Sequence, residues 1–258
     1  MKKSIFIIPF ILLLATSCDW FEFDNYEAPN AQVTGAFKDA KTGELVAQEC
    51  FYVNRYGGNI GTPTDGYISA FQQGWDFEQA AIWLVRYDGT YQHTKIFAGD
   101  YRLEANQNNF YPISQTVTIN KGPNIVDWNV TPYVRIIDPK IAYDAASKKI
   151  KATFKLEYGD PSRANTIFMA RLCCWPDTFV GIHCNNCSND PGSFASTTIV
   201  ADGQTVNELF IDSALAANYE QFKYKPRKHY LRLAVCAVGK GTNTSRHYNY
   251  SQTVSIDL

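Results

Sequence analysis

Apolar and polar residues alternate along most of this chain with a period of two, the period of a half-buried strand. The clearest run is Ile150, Ala152, Phe154, Leu156 and Tyr158, with lysines, Thr153 and Glu157 on the opposite face. Val33, Gly35 and Phe37 alternate in the same way ahead of the turn "DAKTGE", and Phe51, Val53 and Arg55 oppose Cys50, Tyr52 and Asn54. "IWLVRY" (82–87) predicts a strand closed by Asp88-Gly89, a favoured hairpin dipeptide. "IFAGDYRLEA", "QTVTIN" and "NIVDWNV" predict three more. Beyond Pro132 and Asp138-Pro139, strand patterns recur at 167–175, 197–200, 209–211, 230–238 and 252–256. Only "DSALAANYEQF" (212–222) has room for a helical turn or two, and residues 56–81, with five glycines, read as an elaborated loop. Short strands broken by Gly, Pro and Asp predict an all-β chain of two tandem β-sandwich domains, residues 31–132 and 133–258.

The first residues break this pattern. Lys2 and Lys3 precede an apolar run of eleven residues, Ile5 to Ala15. At about 1.5 Å per residue it covers roughly half of a ~30 Å hydrocarbon core, too little for a spanning helix. A basic start, a short apolar middle and small residues at the exit describe a secretory signal peptide over residues 1–17. Leu14, Ala15, Thr16 and Ser17 lead directly into Cys18. That order resembles the bacterial lipobox, in which the cysteine is acylated and becomes the new N-terminus. Cys18 is therefore the expected lipid anchor, several acyl chains holding where one would not. Residues 18–30, acidic and aromatic, read as a lipidated linker. The mature chain of 241 residues carries a net charge of about −3 and shows no basic stripe, which argues against nucleic acid as a partner.

The first half resembles the transthyretin-like, or carboxypeptidase-regulatory-like, sandwich in "VTGAFKDAKTGELV", "DGTY" (88–91), "FAGDYRL" (97–103) and "NIVDWNVTPYVRI". The second half resembles a fibronectin type III or immunoglobulin-like domain. Pro226 lies four residues before Tyr230, the spacing of a tyrosine corner, with Tyr224 where leucine is usual. Arg232 falls where an inward apolar residue is expected. "DNYEAPNA" (24–31), "KIFAGDYRL" (95–103), "VTPYVRI" (130–136) and "RHYNYSQTVSI" (246–256) together resemble a Bacteroidetes surface-lipoprotein family of unknown function, associated with SusC/SusD-type glycan uptake loci. The resemblance implies an outer-membrane, cell-surface location. It further implies a non-catalytic accessory to glycan capture beside a TonB-dependent SusC/SusD-type transporter, or else a structural spacer or protein-interaction subunit of such a complex.

Candidate chemistry is sparse. No G-x-S-x-G elbow, H-E-x-x-H, Walker loop or G-x-G-x-x-G is present, and the four histidines show no metal-pair spacing, so no enzyme activity and no cofactor are expected. Cysteines cluster in "CCWPDTFVGIHCNNC". Cys173, Cys174, His183, Cys184 and Cys187 suit either a disulfide pinning the loop after Trp175 or a compact zinc site, with unpaired thiols the third reading. Cys173 and Cys174, being adjacent on a strand, point to opposite faces. Cys50 and Cys236 read as small core residues. Glycan binding needs flat aromatic faces with amide or charged groups beside them. "YISAFQQGWDFEQ" (67–79) has that composition, and Tyr67, Trp75 and Trp175 are the candidate glycan-binding residues, the alternative being that these aromatics cap the end of a sandwich as core. Trp83 and Trp128, inside strand patterns, are assigned to the core.

Overall fold

A computed structural model describes residues 27–49, 66–163, 165–185, 199–218, 222–224, 226–239 and 248–258. Residues 1–26, with Cys18, and the segments carrying Cys50 and Cys187 lie outside these. The chain is all-β. In the first half, β1 (Ala31–Asp39) runs antiparallel to β4 (Thr90–Ile96) on one side and parallel to β7 (Gly122–Ile125) and then β8 (Trp128–Val130) on the other. Facing it is an antiparallel sheet in the order β3 (Ala80–Leu84), β2 (Tyr67–Gln72), β5 (Gly99–Ala105), β6 (Ile113–Ile119). In the second half, β12 (Asn207–Asp212), β10 (Lys149–Tyr158) and β9 (Val134–Asp144) form one sheet. β11 (Asn165–Trp175), β13 (Lys228–Gly239) and β14 (Tyr248–Tyr250) form the other, with β15 (Val254–Asp257) pairing farther along β13. Among the described residues, a 3-10 turn, Ala216–Asn218, sits in the stretch that allowed helix.

Each half closes on its own core. Val33, Phe37, Ile68, Trp83, Leu103, Phe110 and Trp128 fill the first, where the Phe37 ring meets Phe110 edge-on at 4.6 Å. Trp83 and Trp128 are core residues as expected; Trp128 Nε1 donates to the Tyr91 hydroxyl at 3.1 Å, and that hydroxyl donates to the Val126 carbonyl. The second core takes Ile150, Ala152, Phe154 and Leu156 from β10 and Leu231, Leu233 and Val235 from β13. The alternation along β10 thus puts every second side chain inside.

β2 differs from the sequence reading. Residues 67–72 were expected within a long loop, yet Ile68 and Ala70 are buried while Tyr67, Ser69 and Phe71 face outward. The alternation is present but sits beside a glycine-rich run that hides it. Arg232 corrects a second expectation. Odd-numbered residues of β13 face the second core, so Arg232 lies on the opposite face, buried against the first half. Its guanidinium donates to the carbonyls of Ser251, Val180 and Tyr87 and lies 4.1 Å from the centre of the Tyr250 ring. Tyr230 shares that face and packs with Ala47, Cys173 and Ala234 in a small third cluster.

The halves meet through buried polar groups. Asn109 Nδ2 donates to the Ala47 and Tyr248 carbonyls, Asn249 Nδ2 donates to the Asn109 carbonyl, and Asn249 Oδ1 accepts from the Val134 amide. Arg135 grips both oxygens of Asp39 at 2.6 and 2.9 Å and reaches Glu157 at 3.1 Å. Lys41 completes the set on Glu157 at 2.6 and 2.8 Å. Gly159 lies so close to Pro132 that a Cβ there would overlap the Pro132 carbonyl oxygen. β9 edges its sheet and is broken at Asp138-Pro139, where Asp138 takes a φ of 49° and the pairing with β10 shifts register.

The first sandwich therefore has two distinct ends. One carries Asp39, Ala47, Tyr87 and Asn109 and receives the second half. At the other, Asn30, where the described chain comes in, accepts from the amides of Ala98 and Gly122 at 3.0 and 2.9 Å. The Gln73 amide donates to the Asp100 carbonyl at 2.8 Å, which places loop 73–79 at that same end.

Candidate functional site

The outward residues of β2 and its neighbours form a sheet surface rich in apolar and aromatic groups. Tyr67 pairs with Leu84, Ser69 with Ile82 and Phe71 with Ala80 across β2 and β3. On the other side Ser69 pairs with Glu104 and Phe71 with Arg102. Because same-face residues stand opposite one another in these pairs, Tyr67, Phe71, Ile82 and Leu84 share the outer surface. Ile82 and Leu84 are 43% and 36% exposed, high for a strand residue of that size. Arg102 lies over the Phe71 ring at 4.2 Å and is held by Glu78 at 2.6 Å and by Glu104. Asn106 Nδ2 donates to Glu104 at 3.0 Å. The result is a broad aliphatic and aromatic surface with a fixed charged row along one side. A flat apolar sheet face with hydrogen-bonding groups at its margin suits a ligand with one apolar and one hydroxyl-bearing side.

The three aromatic residues singled out in the sequence do not come together. Tyr67 begins β2 at the end nearest the second half; Trp75, 51% exposed, lies past the other end of that strand. Six strand residues separate those ends by about 20 Å. Trp175 closes β11 in the second half and packs, half-buried, against the third cluster. Sequence reasoning included Phe71 in the aromatic stretch 67–79 but passed over Ile82, Leu84 and Arg102. The signal that finds them is the period-2 reading of 67–72 set against its hairpin partner 80–84.

The cysteines are divided. Cys174 faces the second core and Cys173 the third cluster, on opposite sides of β11 as their adjacency requires. Cys184 is buried and His183 half-buried in the loop that follows, and Cys187 lies outside the described residues. Among the described residues no group of three or more His, Cys, Asp and Glu side chains is placed to hold a metal ion, and Cys173, Cys174, Cys184 and Cys236 are not joined to one another by a disulfide.

A cleft of about 420 Å³ opens at the junction of the halves, lined in part by Asp39, Glu44, Arg135, Asp138, Asn249 and Gln252. Its central charges serve each other. Arg135 is stabilised in its cationic form chiefly by the hydrogen bond to Asp39, and Glu157 is held below the usual carboxylate range chiefly by its hydrogen bond to Lys41. This arrangement fastens the two halves and offers no nucleophile beside a general base.

Comparison with known proteins places the architecture. No curated protein matches the chain. Among solved structures, the chain is similar to a proposed carbohydrate binding protein from Bacteroides uniformis at 24% identity, covering 89% of this chain and 100% of the other, with a TM-score of 0.74. It is similar to DUF3823 family proteins from Parabacteroides merdae (21% identity, 89% and 100% covered, TM-score 0.67) and Bacteroides ovatus (19%, 88% and 99%, 0.65). These likenesses span both sandwiches and show the shared fold. Residues 31–131, the first sandwich, match the N-terminal domain of DUF3823, a family of proteins of unknown function.

Proposed function

We propose that this protein is a non-catalytic carbohydrate-binding lipoprotein, anchored through acylated Cys18 at the outer membrane and serving a SusC/SusD-type uptake system. The observation that carries the binding role is the outward row Tyr67, Phe71, Ile82 and Leu84, flanked by Arg102, Glu104 and Asn106. Pyranose C–H faces stack on such surfaces while their hydroxyls take up the marginal polar groups. The similarity to a proposed carbohydrate binding protein from Bacteroides uniformis supports the same reading. The lipobox-like leader supports the anchor, and the resemblance to surface lipoproteins of glycan uptake loci supports the partner.

Affinity electrophoresis of the purified protein through gels carrying different polysaccharides tests the binding role. At least one polysaccharide is expected to retard the protein, and Tyr67→Ala with Leu84→Ser to weaken that retardation by about tenfold, an effect of ~1.4 kcal/mol. Blank gels across polysaccharide classes, or full retention in the variant, refute it. The spacer reading is favoured by one observation: the second half is fastened to the end of the first sandwich opposite the incoming chain. Co-purification with an outer-membrane protein, unaffected by those substitutions, is its expected signature.

A further inference from the structure

We infer that the end of the first sandwich bearing loop 73–79 and Phe97 rests in the interfacial layer of a lipid bilayer and sets the orientation of the whole molecule. This inference rests on the anchored reading proposed above and adds a second, protein-borne contact to the acyl one. Its basis is a juxtaposition. Trp75, Phe77 and Phe97 are 51%, 68% and 38% exposed. All three sit at the end where the chain arrives: Asn30 binds the Ala98 amide beside Phe97, and the loop holding Trp75 and Phe77 is tied to Asp100 through Gln73. Lys121 and Glu27, 3.1 Å apart, belong to the same end.

The chain outside the structure is short. From Cys18 to Tyr26 there are nine residues, which reach at most about 30 Å when fully extended. An acyl group on Cys18 therefore keeps this end within about 30 Å of the lipid, and the exposed aromatic residues on it supply the orientation. Large aromatic side chains are favoured at the depth of the headgroups, and three of them on one tip form a footprint. The charges around the tip identify the lipid. Glu27, Asp76, Glu78 and Asp100 outnumber Lys95 and Lys121, and Arg102 is taken up by two glutamates. Among the described residues no polybasic patch draws the tip to anionic headgroups. The contact is apolar and interfacial, with zwitterionic lipid the preferred partner. With this end down, the second sandwich stands off by at least the length of β1, nine residues or about 30 Å.

The test uses the full acylated protein in phosphatidylethanolamine–phosphatidylcholine vesicles, with lipids brominated at shallow or deep acyl positions as quenchers of tryptophan emission. Trp20, beside the anchor, is first replaced (Trp20→Phe). Shallow-brominated lipid is expected to quench this protein, and adding Trp75→Phe to reduce the quenched fraction at least about twofold. Phe77→Ser with Phe97→Ser, on the Trp20→Phe background, is expected to lower Trp75 quenching while leaving polysaccharide retardation unchanged. Quenching equal with and without Trp75 overturns the inference, as does a loss of polysaccharide binding in the Phe77/Phe97 variant. Quenching that rises with anionic lipid content also overturns the apolar contact. Failure of the wild-type protein to float with vesicles removes the anchored reading itself, a result distinct from a floating protein whose Trp75 stays unquenched.

Discussion

Removing the Arg135 side chain is the sharpest probe of how the two sandwiches are held. Arg135 and Asp39 are only 9% and 7% exposed at their side chains and share a two-point contact at 2.6 and 2.9 Å across the junction. In Arg135→Ala the Asp39 carboxylate keeps its bond from the Lys41 amide and loses its cation, so a nearly buried charge is left without a counterion. Breaking a buried pair from one side costs about 3–5 kcal/mol, far above the ~0–1 kcal/mol of an exposed pair. For a chain of this length each kcal/mol shifts the melting temperature by roughly 2–4 °C, so calorimetry at neutral pH is expected to show a fall of about 6–20 °C. Glu157 is 26% and its partner Lys41 58% exposed, and Arg135 retains Asp39 without it, so Glu157→Gln is expected to cost about 1 kcal/mol or less. Raising salt should narrow the Glu157 effect and leave the Arg135 effect nearly unchanged. A fall below about 2 °C in Arg135→Ala, or equal falls in the two variants, refutes the reasoning.

Gly159→Ala drives a methyl group into the Pro132 carbonyl and is expected to destabilise by about 1–3 kcal/mol or more, read from urea midpoints. Tyr91→Phe removes the acceptor for Trp128 Nε1 and the donor to the Val126 carbonyl, an expected loss of about 1–3 kcal/mol with the fold retained by circular dichroism. Acidification is expected to lower stability in two stages. Burial holds the His93 imidazole below its usual value, so stability falls as pH drops through about 6.5, where the unfolded chain takes up the proton first. Glu157 and Asp202 are held low in the folded state, Glu157 mainly by Lys41 and Asp202, at about 2, mainly by the Thr205 amide. Their contribution is full above the unfolded carboxylate value and disappears as pH falls through the folded one. A melting temperature flat between pH 7 and 3 contradicts both stages.

The all-β character was legible because β10 buries alternate side chains, and nothing but packing is needed to expose that period. β2 was hidden by its neighbours: five glycines within 56–81 read as loop, although Ile68 and Ala70 carry the strand signal. Arg232 left the register of β13 open, because a strand buried on both faces gives no polar face to set its phase. The surface around Tyr67 was half legible. Its aromatic composition stood out, but Tyr67 and Trp75 lie at opposite ends of one strand, and closeness in sequence suggested a closeness in space that an extended backbone does not allow. The junction left no trace at all. Asp39 and Arg135, or Asn109 and Asn249, are separated by about a hundred residues or more, and no local pattern marks them as partners.

The break in β9 bears on how such a molecule survives at high concentration. A long sheet border with its amides facing solvent is a template on which a second copy adds a strand. At Asp138-Pro139 the backbone turns to a φ of 49°, the following residue has no amide hydrogen, and a carboxylate stands at the kink. A neighbouring chain laid along β9 runs out of ladder there. Many copies crowded side by side can thus remain separate molecules along this border, β9 being unable to knit into a common sheet.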